Sequence, residues 1–151
     1  GYSARMSTRL ERGQELVSSA SASYNPFVRG DSLFMISATP NAQKKKTLAD
    51  VEKGVWGLLD ELKSKPPSPD ELERVRAQVI SSLVYDRDSI SSQAMAIGML
   101  ETVGLSWKLM DSELDDLKSV TPEDIQKAAR TYFSRDRLSI AHVLPEEAAH
   151  D

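Results

Sequence analysis

From residue 48 onward the apolar positions fall three and four apart. Leu48, Val51, Val55, Leu58, Leu59 and Leu62 share one side of a helix, and the change of period sets in near residue 43. The phrase "SKPPSPDELERV" ends that helix and starts another. Ser68 is a natural N-cap, Pro69 suits the first helical position, and Glu71 completes a capping box. Leu72, Val75, Val79, Ile80 and Leu83 continue one face to about Asp86. "SISSQAMAIGML" predicts a third helix and "SWKLMDSELDDL" a short one near it. "VTPEDIQKAARTYF" repeats the start signal, with Thr121 as cap, Pro122 opening the helix and Asp124 reaching back. Ile125, Ala128, Ala129 and Tyr132 form its predicted buried side.

Before residue 43 the pattern differs. Met6 and Leu10 lie four apart and Gly13 follows, which predicts a short helix over 3–13. "ELVSSASASY" alternates small and polar residues, and "SLFMISAT" is the clearest strand in the chain. Asn25-Pro26 and Gly30-Asp31 mark the turn between them, so the two strands form an antiparallel pair. "RLSIAHVL", ended by Pro145, predicts a last strand. Strands and helices are segregated. The expected fold is α+β, an antiparallel or mixed sheet with helices on one face. Three strands make a thin sheet, so missing N-terminal strands or a partner at the sheet edge are expected.

Bulk composition narrows the function. The chain has 151 residues, enough for a single domain over 1–151. Hydrophobic residues are 40% and charged residues 28%, and the net charge is −4. That balance argues against a nucleic-acid partner. No apolar run approaches the roughly 18–20 residues of a membrane span. With no cysteine, disulfides and thiolate zinc sites are excluded, and the compartment stays open. The start "GYSARM" reads as a fragment of a longer natural chain.

Catalytic signatures are missing. His142 and His150 are the only histidines, and no His-x-x-Glu-His or its inverse occurs. His142 reads as a strand residue with a satisfied ring. There is no Gly-x-Ser-x-Gly elbow and no phosphate loop, "KGVWGLL" being a helix packing feature. "SELDDL" and "PEEAAH" read as solvated faces. Lys44 to Lys46 form the only basic run, an exposed helix start. Met95, Met99 and Met110 read as core filler, and Trp56 and Trp107 as anchors of packing or of an interface. Residue chemistry alone gives an α+β domain with no visible active site.

The ordered phrases go further. "YSARMSTRL", "LERGQELVSSASA" and "GDSLFMISATP", followed by "PSPDELERVRAQVISSL", "DSISSQAMAIG" and "VTPEDIQKAARTYF", resemble the insulinase/pitrilysin family of zinc peptidases, the group of the mitochondrial processing peptidase. The resemblance covers nearly the whole chain and implies paired homologous domains closing around a peptide. One domain type carries the inverted zinc motif. The other is metal-free and in active members supplies an Arg and a Tyr that hold substrate and oxyanion. This chain resembles the metal-free, C-terminal type. The resemblance places the Arg position at Glu11 and the Tyr position at Ser18. An ionised glutamate repels an oxyanion, and serine is far shorter than tyrosine. A register slip onto Arg12 or Arg9 finds Ser19 or Leu16 seven residues on, so the departure is real.

The resemblance therefore implies no catalytic residue and no metal ligand in this chain, with Glu11 and Ser18 as degenerate substrate-binding positions. Zinc is expected in a separate domain of the parent protein or in a partner. The expected partners are that zinc-bearing homologous domain or subunit and a peptide substrate. A bacterial periplasm or cell envelope suits such proteins. The alternative is an inactive scaffold subunit of the same family. A third reading, a free-standing small-ligand binder, predicts a deep apolar pocket within this domain.

Overall fold

In the computed structural model, residues 5–144 are described. A short helix, α1 (Ser7–Gly13), leads into strand β1 (Val17–Tyr24), which pairs antiparallel with β2 (Phe34–Pro40). A 3₁₀ turn (Ala42–Lys44) precedes five helices: α2 (Leu48–Ser64), α3 (Pro69–Arg87), α4 (Ile90–Thr102), α5 (Leu109–Ser119) and α6 (Pro122–Tyr132). The architecture is α+β with a two-stranded antiparallel sheet.

The sheet has two chemically distinct faces because side chains alternate along each strand. Ala20 pairs with Ala38 and Ala22 with Ile36, and this face packs on the core. Ser19, Ser21 and Ser23 pair with Thr39, Ser37 and Met35 and face outward, exposed. The core is Met6 just before α1, Leu10 from α1, Val17 from β1, and Val51 and Leu58 from α2. Leu16 and Val55 close around it. Gly54 lets α2 approach: a Cβ there would stand 2.6 Å from Leu16 Cδ1 and 3.2 Å from Leu10 Cδ2.

Caps fix the helix starts. Thr47 and Asp50 form a full capping box on α2, as Thr121 and Asp124 do on α6. On α3, Ser68 Oγ accepts from the Glu71 N–H at 3.2 Å, but the expected reciprocal bond is replaced. The Glu71 carboxylate instead accepts two hydrogen bonds from the Arg5 guanidinium, tying the residues just before α1 to α3. Arginines also close helix ends. Arg76 donates to the carbonyls of Leu117 in the last turn of α5 and of Val120 just after it, and Arg130 and Gln126 donate to Lys63 O at the end of α2.

Several sequence expectations need correction. Residues 138–144 are not a strand. They lie exposed after a 3₁₀ turn (Arg135–Arg137), and among the described residues no hydrogen bond pairs 139–144 with another segment. A strand needs a neighbour for its backbone groups, and among the described residues none pairs with this segment. The expected last-strand residue His142 is accordingly exposed, and His150 lies outside the described residues. Met95 and Met99 are 67% and 46% exposed rather than core filler, because only Leu100 of α4 is buried. On α6 Ala129 is buried and Ile125 half-buried, but Ala128 and Tyr132 are exposed. The helix expected from residue 43 starts at Leu48, after Lys45 adopts a left-handed conformation (φ 53°).

Candidate functional site

The junction between α1 and β1 departs from regular geometry three times within twelve residues. Residues 7–13 wind as a π-helix, a rare form that appears mostly as single-turn bulges and often near functional sites. Glu15 follows with φ 49°, unusual for a residue with a Cβ. A register shift then falls between Val17 and Ser19, placing Ser18 at a β-bulge. Leu10, in the middle of this winding, is fully buried. Gln14 N donates to Arg9 O at 2.8 Å and Leu16 N to Leu10 O at 2.7 Å, so the helix end is closed by its own backbone.

Glu11 and Ser18 both sit on this junction. Glu11 is half-buried, and its carboxylate accepts from Ser7 Oγ at 2.9 Å. Ser18 is exposed at the bulge, its hydroxyl donating to Thr39 O across the strand pair at 3.4 Å, a weak contact. Nearby, Glu15 pairs with Lys44 at 3.0 Å, which draws the 3₁₀ turn toward the bulge, while Asn41 N donates to Leu16 O at 3.0 Å. Sequence reasoning passed over Glu15 and its lysine partner, because neither a left-handed glutamate nor a cross-loop ion pair has a local sequence signature.

Two shallow grooves flank α2. One, of about 470 Å³, runs between α1 and α2 and is lined by Arg9, Gln14, Leu16, Asp50, Lys53 and Glu61 among others. The second, of about 540 Å³, lies over Trp56, whose ring centroid is 5.0 Å from Lys63 Nζ and 4.5 Å from Arg135 Cζ. Glu11 and Ser18 line neither. Charged side chains line both grooves, unlike the deep apolar pocket a small-ligand binder requires.

The titratable groups with shifted behaviour belong to the scaffold. Hydrogen bonds from Arg5 hold the Glu71 carboxyl below its usual range. The Thr47 backbone and hydroxyl do the same for Asp50, and the Thr121 hydroxyl and backbone for Asp124. Among the described residues no group of three or more His, Asp or Glu is placed to hold a metal ion. The junction thus offers a carboxylate, a hydroxyl and two backbone irregularities, and the described residues do not fit a zinc centre.

No family model matches this chain, and no curated protein matches it. Solved structures do. A protease from Helicobacter pylori superposes with a TM-score of 0.79 at 18% identity, over 91% of this chain and 32% of that one. A candidate zinc protease from Bordetella pertussis Tohama I gives 0.76 at 22% identity, over 88% of this chain and 72% of that one. The inactive peptidase domain of a candidate zinc protease from Bordetella parapertussis gives 0.73 at 22%, over 91% and 73%. At these identities the likeness is one of fold. The chain spans about a third of the Helicobacter protein.

Proposed function

We propose that this chain is the non-catalytic, C-terminal domain of a zinc-dependent metallopeptidase of the insulinase/pitrilysin kind. It forms one wall of a chamber around a peptide, and a homologous domain or subunit supplies zinc and its activated water. One observation carries the reading. The fold matches solved proteases and an inactive peptidase domain over about nine-tenths of the chain, while the α1–β1 junction presents Glu11 and Ser18. A carboxylate at that place cannot donate to a developing oxyanion. Glu11 and Ser18 therefore line the chamber and contact the peptide without stabilising the transition state.

The test uses the complete natural protein, with and without its nearest homologue, and the 151-residue chain alone. Metal content and cleavage of a mixed peptide library are measured for each. The expected result is no stoichiometric zinc and no cleavage for the 151-residue chain, and zinc-dependent cleavage for the complete protein or its pair. The double variant Glu11→Arg, Ser18→Tyr should remain inactive on its own. Cleavage by the isolated chain overturns the proposal. A complete protein and homologue that both lack zinc and activity convert the reading to a scaffold of the same fold.

A further inference from the structure

Half-buried carboxylates in this chain come with a cation, with one exception. Among the described residues five acidic side chains are half-buried: Glu11, Glu52, Glu61, Glu71 and Glu113. Arg135 stands 4.0 Å from Glu52 and Arg87 stands 4.0 Å from Glu113. Arg9 pairs with Glu61, and Arg5 grips Glu71. Glu11 alone of the five has no ion-pair partner among the described residues. Its carboxylate accepts from a neutral group, Ser7 Oγ, at 2.9 Å on Oε2, and Oε1 has no donor among the described residues.

The exception does not come from a shortage of cations. Arg5, Arg9, Arg12 and Lys44 all belong to this end of the chain, and each is committed elsewhere. Arg5 donates to Glu71, Arg9 to Glu61, Arg12 to Thr8 Oγ1 at 3.3 Å, and Lys44 pairs with Glu15 at 3.0 Å. A glutamate is seldom drawn partly out of water without a counter-charge, because a hydroxyl returns a hydrogen bond but no charge. The junction is therefore short of one ammonium or guanidinium group. Ser7 already orients the carboxylate, so receiving that group costs little further ordering.

We propose that Glu11 is a specificity-determining residue whose carboxylate receives a cationic group of the bound peptide. The substrate class is then peptides that present a Lys or Arg side chain, or a free N-terminal ammonium, to this wall. The cation donates a charge-assisted hydrogen bond to Oε1 while Ser7 keeps Oε2. The inference rests on the reading of the α1–β1 junction as part of a peptide chamber, and it gives that chamber a selectivity.

The test uses the complete natural protein with its metal removed. The probes are N-acetylated peptides of Gly, Ala and Ser carrying one Lys, one norleucine or one Glu at each position in turn, with a dye at the C-terminus. Fluorescence anisotropy gives the dissociation constants. The best Lys peptide should bind about fivefold tighter than its norleucine counterpart. Glu11→Gln should abolish that ratio and leave the norleucine peptide's affinity unchanged, which a misfolded variant would not do. Glu11→Lys should turn the preference toward the Glu peptide. A norleucine peptide with a free amine in place of the acetyl group separates the two sources of the cation: a Glu11-dependent gain from the amine assigns it to the N-terminus, and one from Lys to the side chain. No gain from either overturns the proposal, as does a Lys preference that survives Glu11→Gln. Cleavage by the metal-loaded protein is read separately. Cleavage without a Glu11-dependent preference overturns this inference and leaves the peptidase reading standing, whereas Glu11-dependent binding without cleavage does the reverse. A complete protein that binds none of the peptides overturns both.

Discussion

Gly54 and Gly57 lie three residues apart in α2 and have opposite surroundings. A methyl at 54 meets Leu16 and Leu10, whereas a methyl at 57 meets nothing within 4 Å. Alanine in a helix is favoured over glycine by about 1 kcal/mol at either place. Forcing a methyl into packed side chains costs about 1–3 kcal/mol. Gly57→Ala should therefore stabilise the chain by about 1 kcal/mol. Gly54→Ala should be less stable than it by about 1–3 kcal/mol, the packing cost alone. Urea unfolding of the two variants measures that gap, and equal stabilities would show that α1 and α2 do not meet as described. Glu71 provides a second residue-scale expectation. Its carboxyl is held below the ordinary value of 4.5 by Arg5 in the folded state. A depressed acid contributes stability that is present above its unfolded pKa and is lost as pH falls through the lower folded value. Glu71→Gln should reduce stability at pH 7 and flatten the fall in stability below about pH 4.5. Melts from pH 7 to pH 3 read both effects; Asp50 and Asp124 retain their share of the acid limb, since both are also lowered.

The elements show why some of the fold was legible in the sequence. α2 could be read because Val51, Leu58, Leu59 and Leu62 are all buried on one face. The antiparallel strand pair could be read because alternation and a turn mark it locally; its register, shifted between Val17 and Ser19, could not. Helix starts were legible where the cap is local: Thr121 with Asp124 closes within four residues. Glu71 was not, since the partner that takes its carboxylate is 66 residues away. The same argument covers residues 138–144, whose β character is local but whose pairing is not. It also covers α4, whose apolar residues point to burial that the described chain does not provide. Glu11 and Ser18 were located by resemblance. The π-winding, the left-handed Glu15 and the bulge that set their geometry have no period to detect. Local caps make a direct prediction. Thr121→Ala removes the hydroxyl half of the α6 box, the bond from Asp124 N–H to Thr121 Oγ1, keeps the backbone half, and should cost about 1 kcal/mol. Amide exchange should accelerate in the first turn of α6 and stay unchanged in α3; uniform acceleration would mean that α6 does not open separately.

For the whole molecule the governing quantity is how much surface folding hides. An unfolded chain of 16.7 kDa exposes about 24,000 Å², so a folded area of 11029 Å² means about 13,000 Å² buried. A compact domain of equal mass buries about 16,600 Å². Among the described residues, α4 and the 138–144 segment contribute exposed apolar surface, with Met95 67%, Val143 90% and Leu144 72% exposed. Denaturant slope and unfolding heat capacity both scale with newly exposed area. The isolated chain should therefore show a urea slope and a heat-capacity increment about a fifth smaller than a compact domain of its length. The comparison is cleanest within one protein. If the uncovered surfaces are sites for other parts of a larger assembly, the slope per residue should rise when those parts are present. Chemical denaturation of the isolated chain and of the complete protein, at matched buffer and temperature, gives the two slopes directly. A slope in the isolated chain already at the value for a compact domain would mean that these surfaces are covered in solution without any partner, and the account of an open wall would fall.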